Sequence, residues 1–325
     1  MRSTRGSGGR GEACLAPTLI MSPLLVVVGP TATGKTEAGI RVARLLNGEI
    51  ISADSRQVYR HMDIGTAKPT RAQREEASHH LIDLVDPDED YNAGRFSRDA
   101  LRVIADVRAR GRRPVVVGGC GLYVRALLDG FSPVPEVDAR VRERIRAEAA
   151  RSETVDLHRR LRAVDPLSGD RIRPSDRQRM VRALEVYEAT GEPLSSWQAR
   201  PREGGIGESA VVVGLRMERT ALYERIEART ERMISEGLVG EVEGLRRMGY
   251  RPEGSALGTF GYREVFAYLE GKIPLAEAVR VIQQETRRYA KRQMTWFRGD
   301  RRVRWVEALS PDVAGEIIEK ARGEG

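Results

Sequence analysis

Five short apolar runs that end in small or polar residues punctuate the chain at positions 24–28, 49–52, 81–85, 114–117 and 210–215. Stretches with apolar residues three or four apart separate the first four, at 35–46, 70–77 and 95–110. Continuous apolar runs read as buried strands and the 3.6-residue period as amphipathic helices. Their alternation predicts an α/β fold, a parallel sheet covered by helices on both faces.

Beyond Gly130 the pattern turns purely helical. "VDARVRERIRAEAARSE" and "TVDLHRRLRAVD" carry helical spacing, and Asp165-Pro166 ends the second. Ser175 is placed to cap a further helix with Gln178 three residues on, with Met180, Leu184 and Tyr187 as its buried stripe and Gly191 as its stop. "ARPREGGIGES" reads as the linker back to the core, and from Arg219 the chain is again helical. The predicted organisation is a flexible tail at 1–22, the first part of the core at 23–130, an all-helical insertion at 131–207, and the last strand with a helical C-terminal region at 208–325. Arginines ahead of apolar residues give the tail a superficial likeness to an export signal, but Pro17 and Pro23 interrupt the run and cleavage would remove the first strand. Met21 is the expected natural start.

The first strand runs directly into "GPTATGKT", which fits G-x-x-x-x-G-K-[ST] between a strand and a helix. In such a loop backbone N–H groups and the helix N-terminus bind phosphate oxygens, Lys35 adds a point charge, and the Thr36 hydroxyl can hold Mg²⁺. The core is therefore expected to be P-loop NTPase-like. A nucleotide hydrolase also needs an acidic residue at a second strand end. Here the run at 114–117 ends in Gly118-Gly119-Cys120-Gly121, where glycines would permit close backbone approach to a ligand or merely turn the chain. The carboxylate at a strand end is Asp54, which could ligate Mg²⁺, accept a proton or cap a helix. Ligands of open α/β sheets gather at the carboxyl ends of strands, beside Asp54 and the phosphate loop.

Composition adds less. The net charge of +8 and pI near 9.7 favour a polyanionic partner. Only five of the 55 basic residues are Lys, a skew that codon usage alone can produce, so arginine position says more than arginine number. Gln178 and Arg182, four apart, share a helix face suited to reading a base edge and an adjacent phosphate, or form a solvated surface. Arg287, Arg288, Lys291, Arg292 and Arg298, interleaved with Tyr289, Trp296 and Phe297, offer a basic surface with stacking groups unless the rings are core. His79 and His80 are adjacent, point to opposite sides of an extended segment, and suit a strand start better than a metal site. Two cysteines, Cys14 and Cys120, build neither a disulfide framework nor a zinc site, so a reducing, cytoplasmic setting is expected. No stretch approaches the ~18 apolar residues of a spanning helix.

Taken together, "GPTATGKT", "ISADSRQVYRHMDIGTAKP", "HHLIDLVDP", "GGCGLYVRALLDG", "DRQRMVRALEVYEATGEPLS", "GYREVFAYLEG" and "RRYAKRQMTWFR" resemble the tRNA dimethylallyltransferase family, in that family's order, over residues 24 to about 300. The resemblance implies that Gly29, Pro30, Thr31, Ala32, Thr33, Gly34, Lys35 and Thr36 hold the diphosphate of dimethylallyl diphosphate, with Mg²⁺ at Thr36. The N6 amine of adenosine 37, beside the tRNA anticodon, would attack the allylic carbon. Asp54 would be the general base, with Lys35 and Arg229 at the diphosphate. The positions matching tRNA contacts are Asp54, Ser55, Arg56, Gln57, Cys120, Arg142, Gln178, Arg179, Met180, Val181 and Arg182. A diphosphate leaving group needs a cradle and a cation but no activated water, which accounts for the missing second acidic strand end. Cys120 departs from the family's usual threonine, and a thiol is the weaker hydrogen-bonding group. The zinc-finger extension of eukaryotic relatives is absent, so a bacterial-type enzyme acting in the cytoplasm as a monomer is expected. A small-molecule kinase and a non-catalytic RNA-binding module are the competing readings.

Overall fold

The computed structural model of the protein describes residues 23–207, 210–252, 254 and 256–323. The tail and start position expected from the sequence lie outside the described residues. The chain runs β1 (Leu24–Val28), α1 (Lys35–Leu45), β2 (Gly48–Ser52), α2 (Arg71–Glu76), β3 (His79–His80), α3 (Ala93–Ala109), β4 (Arg113–Val117) and α4 (Gly121–Asp129). Five helices follow without a strand: α5 (Ala139–Arg151), α6 (Thr154–Val164), α7 (Pro166–Arg171), α8 (Arg177–Thr190) and α9 (Leu194–Ala199). Then come β5 (Ala210–Arg216), α10 (Arg219–Ser235), α11 (Leu238–Arg247), α12 (Tyr262–Leu269), α13 (Leu275–Arg298), β6 (Val303–Glu307) and α14 (Val313–Arg322).

The six strands form one parallel sheet in the order β3-β2-β4-β1-β5-β6. Alternation along β1 divides its side chains between the two faces. Leu24, Val26 and Val28 join Phe96 and Ile104 of α3, Leu127 of α4 and Phe297 of α13. Leu25 and Val27 join Ile40 and Val42 of α1 and Ile317 of α14. Val117 pairs with both Val27 and Ser52, so β1, β2 and β4 end level and their loops open side by side. The insertion helices close over their own core of Ile145, Leu157, Leu161, Met180 and Leu184. Their entry and exit meet in an antiparallel bridge between Phe131 and Glu203.

Four local expectations are corrected. Residues 81–85 are not a strand: β3 stops at His80, and Leu81 and Asp83 take left-handed backbone (φ 62° and 54°). There Asp83 is drawn to Lys68 and Arg74, and Val85 pairs with Tyr59 outside the sheet. The C-terminal region is not wholly helical, because Val303–Glu307 adds edge strand β6 against β5. Helix α8 is capped by Asp176, whose side chain accepts from the Arg179 N–H, rather than by Ser175. Its buried face is Met180, Ala183, Leu184 and Val186, with Tyr187 half-buried.

The glycines after β4 are demanded by neighbouring protein groups. A Cβ on Gly118 would lie 2.2 Å from the Ala53 carbonyl oxygen, one on Gly119 2.3 Å from the Gln293 amide, and one on Gly121 2.3 Å from the Trp296 ring. Protein groups fill each space. Gly118→Ala must therefore displace the backbone next to Asp54, and the expected loss of stability reaches or exceeds the upper end of the ~1–3 kcal/mol typical of overpacking. An unchanged denaturation midpoint in that variant would sink this account.

Candidate active site

The phosphate loop is built as its sequence demands. Gly29 (φ 145°) has no room for a Cβ, which would sit 2.6 Å from the Leu215 carbonyl oxygen, and Gly34 (φ 86°) starts α1 in left-handed conformation. The Thr33 hydroxyl donates to the Pro30 carbonyl at 2.9 Å, and Lys35 Nζ donates to the same oxygen at 2.5 Å. Helix α10 clasps the loop from outside: Arg225 Nε donates to the Ala32 carbonyl at 2.9 Å and Arg229 Nη1 to the Thr31 hydroxyl at 3.1 Å.

A cavity of about 1070 Å³ opens over the level strand ends, lined by Lys35, Thr36, Asp54, Gly118 and Gly119 and walled by Arg225, Arg229 and Tyr289. That volume is at the large end for small-molecule pockets. Asp54 Oδ1 accepts the N–H groups of Arg56 (2.9 Å) and Gln57 (3.4 Å), so it caps a turn rather than a helix, and Asp54 also lines the cavity.

Charge in the cavity is unbalanced toward positive. Lys35 is half-buried by surface but closely surrounded by protein, and this desolvation lowers its pKa to about 7. Asp54 opposes the fall and Arg229 adds to it. Burial likewise brings Arg229 down to about 10. Burial pushes the Cys120 thiol up, with Asp54 adding to the rise and a bond to Ser55 opposing it.

The structure divides the other predicted residues. Arg56 turns inward, its guanidinium 3.7 Å from the Phe260 ring centroid and 5.3 Å from that of Tyr289. The Gln57 amide ties two segments together, accepting from Ser52 and donating to the Ala67 carbonyl. Met180 is fully buried in the insertion core, so its side chain is a packing group. Val181 and Arg142 are half-buried, whereas Gln178 and Arg179 are exposed at the start of α8. Arg182 leans on the buried Glu185 at 3.5 Å. Of the C-terminal aromatics, Phe297 is core, Tyr289 faces the cavity and Trp296 is partly exposed over Gly121.

Several supporting residues had no role assigned from the sequence. Lys68, buried, donates to the Tyr59 carbonyl and to Asp63 and Asp83, pinning the segment after Asp54. Glu241 accepts three successive backbone N–H groups, of Asp63, Ile64 and Gly65, and the Tyr262 hydroxyl. Gln293 bonds both the phosphate loop and the β4 loop. Its signal was available: it occupies the apolar stripe Ile282, Ala290, Phe297 of α13, where an amide requires partners.

Residues 57–300 match the family model described as IPP transferase, and residues 22–85 match that described as isopentenyl transferase. The chain belongs to the IPP transferase family. It is 48% identical over 284 residues to a protein of Geotalea uraniireducens named tRNA dimethylallyltransferase 2, covering 87% of this chain and 92% of that one. A relative from Geobacter sulfurreducens named tRNA dimethylallyltransferase is 46% identical over 284 residues, with 87% and 91% coverage. Among solved structures, the tRNA isopentenylpyrophosphate transferase of Bacillus halodurans aligns with a TM-score of 0.66 at 38% identity, covering 93% of this chain and 99% of that one. A eukaryotic dimethylallyltransferase acting on tRNA aligns with 0.77 at 25% identity, covering 91% and 77%. The family's core is thus the P-loop-like sheet described above, and no helix among the described residues is long and apolar enough to cross a membrane.

The Lys35 environment makes a measurable prediction. In the unfolded chain this amine holds its proton up to about pH 10.5 and in the free fold only up to about 7, so stability rises with pH through that window as the penalty for burying the amine fades. Bound anion restores the charged form, so at pH 8 inorganic pyrophosphate is expected to bind with proton uptake, read by calorimetry in buffers of different ionisation enthalpy. Uptake should fade below pH 6 and be absent in Lys35→Met. Equal uptake in that variant would refute the assignment.

Proposed function

We propose that this chain transfers the dimethylallyl group of dimethylallyl diphosphate to N6 of adenosine 37, beside the anticodon of a tRNA, with release of pyrophosphate. The observation that carries this reading is the convergence of a phosphate loop and a strand-end carboxylate, Asp54, on one cavity whose third strand end, at β4, brings Gly118 and Gly119 and no carboxylate. A kinase or hydrolase of this fold needs an acidic group there, so phosphoryl transfer is not favoured. An RNA-binding module without catalysis leaves the phosphate loop unexplained.

In the reaction, N6 attacks C1 of the dimethylallyl group as the C1–O bond to diphosphate breaks, and the N6 proton passes to Asp54. The phosphate-loop N–H groups, Lys35 and Arg229 hold the diphosphate before and during bond cleavage, when negative charge on the leaving oxygen grows. Thr36 offers a hard oxygen donor in the same cavity, and no cluster of three or more His, Cys, Asp or Glu side chains that could hold a metal exists among the described residues, so the site suits a cation shared with ligand phosphates. Mg²⁺ bound at Thr36 would neutralise part of the diphosphate charge. The exposed N-terminal face of α8, with Gln178 and Arg179, supports the insertion as the tRNA-binding element, together with Arg142 and Arg182.

The deciding experiment incubates protein and Mg²⁺ with tRNA and either dimethylallyl diphosphate or ATP, and looks by mass spectrometry for an added five-carbon unit on the RNA. Absence of that unit, or phosphate transfer from ATP, would reject the reading. Asp54→Asn is expected to lower single-turnover transfer by roughly 10²- to 10⁴-fold, the usual contribution of a positioned base. Near-normal transfer would make Asp54 a positioning residue only. Gln178→Ala and Arg182→Ala should each weaken tRNA binding by about 1–3 kcal/mol and leave diphosphate binding intact. Equal losses for both ligands would indicate a damaged fold instead.

A further inference from the structure

Helix α13 places one buried amide between the two halves of the site. Gln293 is 7% exposed; its Oε1 accepts the Thr31 N–H at 2.8 Å and its Nε2 donates to the Gly119 carbonyl at 2.8 Å. A backbone N–H only donates and a carbonyl only accepts, so these partners fix which end of the amide points where. Gly119 has no side chain because the amide occupies its Cβ space, and three residues on Trp296 does the same to Gly121. The helix therefore presses on the β4 loop at two points one turn apart.

The hydrogen bonds continue on either side of Gln293. Beyond Gly119, the Cys120 N–H donates to the Ala53 carbonyl at 3.1 Å, and the Ala53 N–H donates to Val117 at 2.8 Å, which fixes the residue before Asp54. On the other side Thr31 is held through its hydroxyl by Arg229. The last sheet bond between the β1 and β4 segments is Gly118 N–H to Val27 carbonyl at 3.0 Å. Past it, the phosphate loop and the β4 loop share no direct hydrogen bond among the described residues. Gln293 spans that gap.

Resting on the function proposed above, we infer that Gln293 is a positioning residue that sets the distance between the loop holding the diphosphate and the strand end carrying Asp54. Gln293 borders the cavity, but both of its amide atoms are taken up by Thr31 and Gly119, so in this role it acts through the two loops. A displacement reaction in which the nucleophile and its base approach from one side and the leaving group is held on the other depends steeply on that separation, and a shift of about 1 Å costs on the order of 10²-fold in rate. Binding of each substrate alone does not depend on it.

The test uses the full chain with Gln293→Leu, which fills similar space but makes neither bond, and Gln293→Glu, which keeps only the acceptor for Thr31. Thermal unfolding, separate Kd values for dimethylallyl diphosphate and tRNA, and the single-turnover transfer rate at saturation are measured. The expected result is a rate about 10²-fold lower for Gln293→Leu, a smaller loss for Gln293→Glu, and Kd values within about threefold of the parent. A folded Gln293→Leu with a rate within about threefold of the parent overturns the inference, as does a rate loss matched by an equal loss of diphosphate affinity. Should Gln293→Leu fail to fold, Gln293→Glu decides by the same criteria. A parent protein that transfers no dimethylallyl group overturns the functional reading itself, and this inference with it.

Discussion

The site depends on β1 being paired along both edges and buried on both faces. None of its five residues exceeds 1% exposure, and their N–H and C=O groups are satisfied by β4 on one side and β5 on the other. A buried backbone group without a partner is costly, so the register is fixed wherever these strands run. That register makes Val28, Ser52 and Val117 end together and places the phosphate loop, Asp54 and the Gly118-Gly119 turn side by side. No long-range design beyond parallel pairing is needed to bring the three loops together.

With the loops in place, the electrostatics of the cavity follow from what surrounds it. Lys35, Arg56, Arg225, Arg229 and Arg232 line one space whose acidic groups are Asp54, Asp63 and Glu236. Burial, opposed by Asp54 and reinforced by neighbouring arginines (Arg229 for Lys35, Arg232 and Arg56 for Arg229), pushes the Lys35 and Arg229 pKa values down, so the free site is held in a state that an anion relieves. The cost is met by hydrogen bonds that anchor the cationic side chains to the phosphate loop, from Lys35 to Pro30, Arg225 to Ala32 and Arg229 to Thr31. These bonds aim the charges before a ligand arrives, which limits reorganisation when it does.

The segment after Asp54 shows a different way to hold a loop. Residues 57–70 contain no regular element, yet Met62, Thr66 and Lys68 are buried. Their order comes from two ionic centres, one buried and one half-buried. Lys68 gathers three oxygens, and Glu241 on α11 gathers three backbone N–H groups. Charged groups this well bonded give the loop a single arrangement where apolar packing alone would allow several. The insertion, by contrast, rests on an apolar core of its own and presents its polar residues outward.

Much of this was legible in the linear pattern, and the exceptions share a cause. The phosphate loop, four of the strands, the helical insertion and the candidate base all follow from local features: apolar runs, turn glycines, helical period and a carboxylate placed just after a strand. The pattern misread 81–85 because an apolar run fits a strand until Lys68 and Arg74 draw Asp83 aside. Edge strand β6 was overlooked because side chains such as Arg304 and Glu307 face water and its pairing partner lies 91 residues earlier in the chain. The sequence left open whether the glycines after β4 serve a ligand or a turn; Gly118 and Gly119 line the cavity, and the Cβ space of Gly118, Gly119 and Gly121 is taken by Ala53, Gln293 and Trp296. By itself the sequence determined which segments fold into which elements and which groups can do chemistry, since hydrogen-bonding period and side-chain type are local properties. Only the tertiary structure decided which of those groups meet: that Arg56 turns to an aromatic wall and that Gln293 joins two loops, because each depends on contacts between residues distant in the chain.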